Sequence, residues 1–150
     1  MTNNTVQAIN QDSAVLISND NTGVINATFG SGNTFTVAPA GAFPLYGLSF
    51  EAGTGAGSAG IMRVNFAAGV TATGSASAFT KGIQAFSFGS SRIELQGYGG
   101  SDNDTASVAT FLSTGGGAGN TVNPGPADVF VFSGGTITGT LTGGASVPLP

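Results

Sequence analysis

Any chemistry in this chain has to come from oxygen ligands and carboxylates, because it contains no Cys and no His. That removes disulfides, thiolate zinc sites and cysteine nucleophiles, together with the usual general base and the commonest metal ligand. The richest polar cluster is Gly99-Gly100-Ser101-Asp102-Asn103-Asp104. Two carboxylates flanking an Asn in a glycine loop offer several oxygens to Ca²⁺, which takes about six to eight of them. The closing bidentate Glu of a calcium loop is missing, and Asp and Asn also populate turns by bonding the local backbone. A plain turn is the expectation, and no metal site is assigned.

Glu51 and Glu94 are the pair to weigh for glycoside hydrolysis, which needs two carboxyls at fixed separation in a cleft, usually beside aromatic platforms. With no Trp and only Tyr46 and Tyr98, the platforms look scarce. No serine lies in a G-x-S-x-G context. Gly55-Ala56-Gly57-Ser58-Ala59-Gly60 spells G-x-G-x-x-G, but a dinucleotide loop must open a helix, and here the strand pattern Ile61–Phe66 follows. Arg92 and Glu94 share one strand face; as a surface pair they would contribute roughly 0–1 kcal/mol. No catalytic residue and no cofactor site are expected, so the chain reads as non-enzymatic.

Charge is the compositional anomaly. Charged residues make up 7% of the chain, against about 25% in an average soluble domain. The surface must therefore be built from Thr, Ser, Asn, Gln, Gly and Ala. Arg63, Lys81 and Arg92 are the only cations, and the net charge is −4. Three scattered cations cannot neutralise a run of phosphates, which excludes nucleic acid as a main partner and disfavours anionic membranes. The longest aliphatic stretch, Ala14-Val15-Leu16-Ile17, is far short of a membrane span. Residues 1–7 have neither the basic start nor the apolar run of a signal peptide.

The elements that must position these groups are strands. Period-two alternation predicts them at Ala14–Ser18, Val24–Phe29, Thr34–Ala38, Leu45–Glu51, Ile61–Phe66, Val70–Thr80, Ile83–Phe88, Arg92–Tyr98, Ala106–Ser113, Val129–Phe132 and Thr136–Thr142. Val129–Phe132 is apolar on both faces, as in a strand buried twice or lying at a subunit contact. In Thr136–Thr142, Ile137 and Leu141 take one face and four threonines the other, a solvated face by β-propensity. No 3.6-residue period runs beyond two turns, so no substantial helix is expected. Glycine-rich turns between about ten short strands predict an all-β, two-sheet antiparallel sandwich with jelly-roll topology. The lack of a fixed-period repeat ranks a β-solenoid below it.

One domain spans 13–143, with residues 1–12 as a flexible arm and 144–150 as an extended tail. Val147-Pro148-Leu149-Pro150 resembles the start of a Val-Pro-Leu-Pro-Ala C-terminal sorting signal of exported bacterial surface proteins. The composition as a whole resembles that of phage structural proteins. That likeness implies a virion protein, either a capsid decoration or a small tail or fibre module. Its partners are copies of itself, with a trimer favoured, and other structural proteins. The alternatives are a secreted surface adhesin or self-assembling fibre subunit, located extracellularly or on the bacterial surface, and a carbohydrate- or calcium-binding module using Asp102 and Asp104.

Overall fold

The computed structural model describes residues 1–8, 13–37, 45–74, 80–122, 125–144 and 146–147. Ten strands and one helix follow in order: β1 (Thr5–Ala8), β2 (Val15–Asn19), β3 (Thr22–Phe29), β4 (Asn33–Val37), β5 (Leu45–Ala52), β6 (Ala59–Phe66), β7 (Val70–Thr73), β8 (Thr80–Leu95), α1 (Thr105–Thr114), β9 (Thr121–Val122) and β10 (Val129–Thr138). Every strand pairing is parallel. The antiparallel sandwich and its jelly-roll topology are therefore wrong.

The chain winds as a coil of four rungs with three faces. Face one stacks β1, β4, β7 and β9; face two stacks β2, β5, the first half of β8 and the first half of β10. Face three stacks β3, β6 and the second halves of β8 and β10. Because β8 and β10 bend across two faces, the strands wrap into a nearly closed, barrel-like surface around one core. Parallel neighbours need a long crossover. Here the other two strands of each rung supply it.

Alternation along each strand builds the core in aligned rows. Val15, Leu48, Ile83 and Val129 stand in register on face two, and Ile25, Met62, Ile93 and Ile137 on face three. Val6, Phe35, Ala72 and Val122 do the same on face one. Phe29, buried at the end of β3 on the first rung, holds its ring 5.6–6.0 Å from those of Phe35, Phe50 and Phe66. Each large side chain withdrawn from water in these rows contributes about 1.5–3 kcal/mol.

Glycine at two corners is a packing requirement. A Cβ on Gly47 would sit 2.7 Å from the Phe35 carbonyl oxygen, and one on Gly82 would sit 2.7 Å from that of Ala72. Both glycines lie near the start of their strands, β5 and β8, where the chain rounds a corner against face one. At the β2–β3 corner the buried Asn19 amide donates to the carbonyls of Gly23 and Ile61, and β3 leaves for the next face instead of folding back on β2.

The strand expected over Ala106–Ser113 is helix α1 instead. Asp104 caps it, accepting from the backbone N–H groups of Ala106 and Ser107, and Gly115 ends it in the left-handed conformation with φ 66°. Val108, Phe111 and Leu112, at i, i+3 and i+4, join the core. Two expected strand pairs each merge into one strand that stops early: Ile83–Phe88 and the start of Arg92–Tyr98 form β8, which ends at Leu95, and Val129–Phe132 and the start of Thr136–Thr142 form β10, which ends at Thr138. The end of the expected strand at Ala38, part of that at Val70–Thr80, and Pro148–Pro150 lie outside the described residues.

Candidate functional site

On the outside of face two, alternation that sends Leu48 and Phe50 inward sends their neighbours outward in two rows. Leu16, Ser49, Gln84 and Phe130 stand in register in one row; Ser18, Glu51, Phe86 and Phe132 form the next. The rings of Phe86 and Phe132 stack at 4.8 Å and 15°, and Phe88 lies parallel to both within 6.4 Å. Phe130 leans on Tyr46 at 6.2 Å. Phe130 and Phe132 keep 40% and 38% of their surface exposed, which is unusual for Phe in a single domain.

Between the Tyr46–Phe130 pair and Phe86 runs a groove of about 350 Å³, with Leu16 and Ser13 on its rim. A depression of about 160 Å³ extends it to Thr54. Glu51 and Gln84 line both. The Glu51 carboxylate accepts from the Ser49 hydroxyl at 3.2 Å and from the Gln84 amide nitrogen at 3.5 Å. Gln84 is 95% buried, and its Oε1 has no hydrogen-bond partner. Burial raises the Tyr46 phenol above its ordinary range, and the Glu51 carboxylate raises it further.

Glu94 sits elsewhere. It lies on face three, fully buried, and accepts from Arg63 Nε at 2.9 Å, Arg92 Nε at 3.4 Å, the Thr142 backbone N–H at 3.0 Å and the Thr142 hydroxyl. Burial alone would raise its carboxyl; hydrogen bonds from Thr142 and Arg63, with the Arg63 charge, outweigh it and hold the group below its ordinary range. The expected surface pair Arg92–Glu94 is thus part of a buried lock. Glu51 and Glu94 are on different faces and do not form a hydrolytic pair. The expected solvated threonine face is corrected too: Thr138 is fully buried and Thr142 belongs to the lock.

The Asp102–Asp104 loop is occupied by the fold itself. Asp104 spends both carboxylate oxygens on α1, accepting the Ser107 hydroxyl at 2.7 Å in addition to the two backbone groups. Asn103, at φ 60°, donates its N–H to the Ile137 carbonyl and accepts the Ile137 N–H at 2.8 Å. Among the described residues no group of three or more acidic side chains gathers. The loop Gly53–Ser58 turns from β5 into β6, so its glycines meet no helix N-terminus.

The two ends of the coil differ. At the last rung, α1 packs against β9 and β10, and Asn103 takes up the outer edge of β10 at Ile137. At the first rung, no described strand pairs with the outer edges of β2 or β3. Met1 covers one corner, its ammonium donating to the Thr28 carbonyl at 2.8 Å. Beside it a cleft of about 190 Å³ opens onto Ile17, Ile25, Ala27 and Phe29. Leu16 and Val24 are each half exposed at this end.

The sequence signals missed here were short. Period-two alternation in Phe86-Ser87-Phe88 and Phe130-Val131-Phe132 did mark rings on one face, but only the pairing of β8 with β10 brings them together. No protein-family model matches the chain, and neither does any curated protein or solved structure.

Proposed function

We propose that this chain is a non-enzymatic structural protein that acts by packing against copies of itself and other proteins of an assembly, in the decoration, tail or fibre of a phage virion. The observation that carries the reading is the contrast between the covered last rung and the open first one. A coil of parallel strands has two ends, and each presents unpaired backbone groups and the rim of the core. In this chain α1 and Asn103 serve as the cover at one end. At the other, β2, β3 and the cleft at Ile17 and Ile25 present backbone edges and apolar surface, with the Met1 ammonium held at one corner. A strand or a second coil laid on β2 and β3 would continue the parallel ladder and bury Leu16 and Val24. The neutral, hydroxyl-rich sides add little repulsion against neighbours.

Native mass measurement and electron microscopy of the purified chain test this. Discrete oligomers, with a trimer favoured, are expected, and Val24→Lys is expected to shift them toward monomer without lowering the melting temperature. Continuous fibres would favour the alternative of a self-assembling surface subunit. A chain that stays monomeric at high micromolar concentration and gains no mass when mixed with virion proteins would overturn the reading.

A further inference from the structure

We infer that face one binds the surface of ice, through the threonines that its four strands hold in two parallel rows. This goes beyond the assembly reading and does not rest on it, since face one is a side of the coil and the docking edge lies at its end.

Register sets the rows. Thr5, Thr34, Thr71 and Thr121 stand in one, and Gln7, Thr36 and Thr73 in the next, with no shift between rungs. Val6, Phe35, Ala72 and Val122 between them turn to the core, so alternation sends both rows outward. Six of these seven positions are Thr. β-Propensity alone would enrich the three faces alike. Yet the two outward rows through Leu16 and Ser18 on face two hold no Thr. Those through Val24 and Asn26 on face three hold only Thr136 and Thr138. Thr5 and Thr121 are exposed, and Thr34, Thr36, Thr71 and Thr73 keep part of their surface in water. No described group bonds any of the six hydroxyls, and those of the four partly covered threonines still reach solvent. No charged side chain stands in either row.

Rungs repeat at about 4.8 Å, and alternate residues along a strand at about 6.6–6.8 Å, so the hydroxyls form a net with two fixed periods. Such a net matches a ligand that is itself periodic in two directions, which a small molecule or an irregular protein surface is not. The prism face of hexagonal ice has oxygen repeats close to both. Water held on neighbouring hydroxyls is thereby spaced as the lattice needs it. Each threonine adds a methyl group beside its hydroxyl, an apolar contact that withdraws surface from liquid water. Its β-branched side chain has few rotamers, and the ladder fixes the backbone beneath it, so little freedom is lost on binding. An ammonium or carboxylate in the rows would gather water tightly about itself and break the net. The absence of charge from both rows fits this ligand.

The test is thermal hysteresis of the full chain in a nanolitre osmometer, with inspection of the growing crystal. A gap between freezing and melting that widens with protein concentration is expected, together with faceted crystals. Thr71→Lys, in the middle of the net, is expected to abolish both, and Thr5→Lys, at its exposed edge, to narrow the gap. Thr110→Lys puts the same charge on the exposed side of α1 and should leave the gap unchanged. Thr5 is exposed, so its variant should keep the parent unfolding midpoint, which separates lost ice binding from lost folding. The inference is overturned if the parent chain at high micromolar concentration shows neither hysteresis nor faceting. Hysteresis that survives both substitutions in the net, or that Thr110→Lys abolishes, overturns it equally. So does adsorption to crystalline cellulose without hysteresis, which would assign the net to another periodic surface.

Discussion

Arg63 and Glu94 stand at the same register position on neighbouring rungs, and the guanidinium Nε donates to the fully buried carboxylate at 2.9 Å. Thr142 closes the pair from the turn that follows β10, through both its backbone N–H and its hydroxyl. This cluster ties β6, β8 and the segment after β10 together on the side of the coil. It is an anchor for the fold, which explains why a buried carboxylate here has no opening to a substrate.

Both arginines keep some contact with solvent and Arg63 also donates to the Thr142 carbonyl, so Glu94→Gln weakens charge-assisted hydrogen bonds without stranding a charge. It is expected to cost about 1–3 kcal/mol in urea unfolding. The Glu94 carboxyl is held below its ordinary value of 4.5, so the unfolded chain binds the proton more readily than the folded one. Its stabilisation is therefore present above about pH 4.5 and is lost as pH falls through the lowered folded value. Melting curves across acid pH should show this loss in the parent chain, and a shallower one in the variant.

The Tyr46 phenol carries the opposite sign. Its folded value is raised above 10.0, by burial first and by Glu51 second, so its contribution is intact below pH 10 and is lost as pH rises through the folded value. Glu51→Gln removes the smaller cause. A phenolate absorbance titration should find one tyrosine ionising at lower pH in the variant, yet still above the ordinary range.

Asp104 is predicted to act on α1 and not on calcium. Asp104→Ala should speed amide exchange across Thr105–Thr114, while Asp104→Asn should retain most of the protection, because an amide oxygen also caps. Millimolar calcium should leave the melting temperature of the parent chain unchanged, and a concentration-dependent rise would refute this assignment.

Two phenylalanines two rungs apart separate stability from surface. Phe50 is fully buried beside Phe29 and Phe66, and Phe50→Ala should cost about 3–5 kcal/mol. Phe132, outward in the adjacent row, should cost far less on the same change, within about 1 kcal/mol. Denaturant midpoints of the two variants check the contrast.

The sequence by itself determined which side chains turn inward. Alternation in Met62–Phe66 and Arg92–Leu95 is a local property of extended backbone, so Met62, Val64, Ile93 and Leu95 are in the core as the pattern requires. Helix α1 was also written locally, in Asp104, in Val108, Phe111 and Leu112, and in Gly115, but Thr and Ser between them masked its period. Direction of pairing was not legible. A strand alternates identically beside a parallel or an antiparallel neighbour, and Gly-rich corners serve a coil as well as a hairpin. The repeat was hidden because rungs differ in length: Thr5, Thr34, Thr71 and Thr121 stand in one line at unequal spacings, and α1 is inserted before the last. The groove depended wholly on tertiary structure. Tyr46, Glu51, Gln84 and Phe130 come from three strands, and only the stacking of rungs, a non-local balance of core rows and ladder hydrogen bonds, brings them to one face.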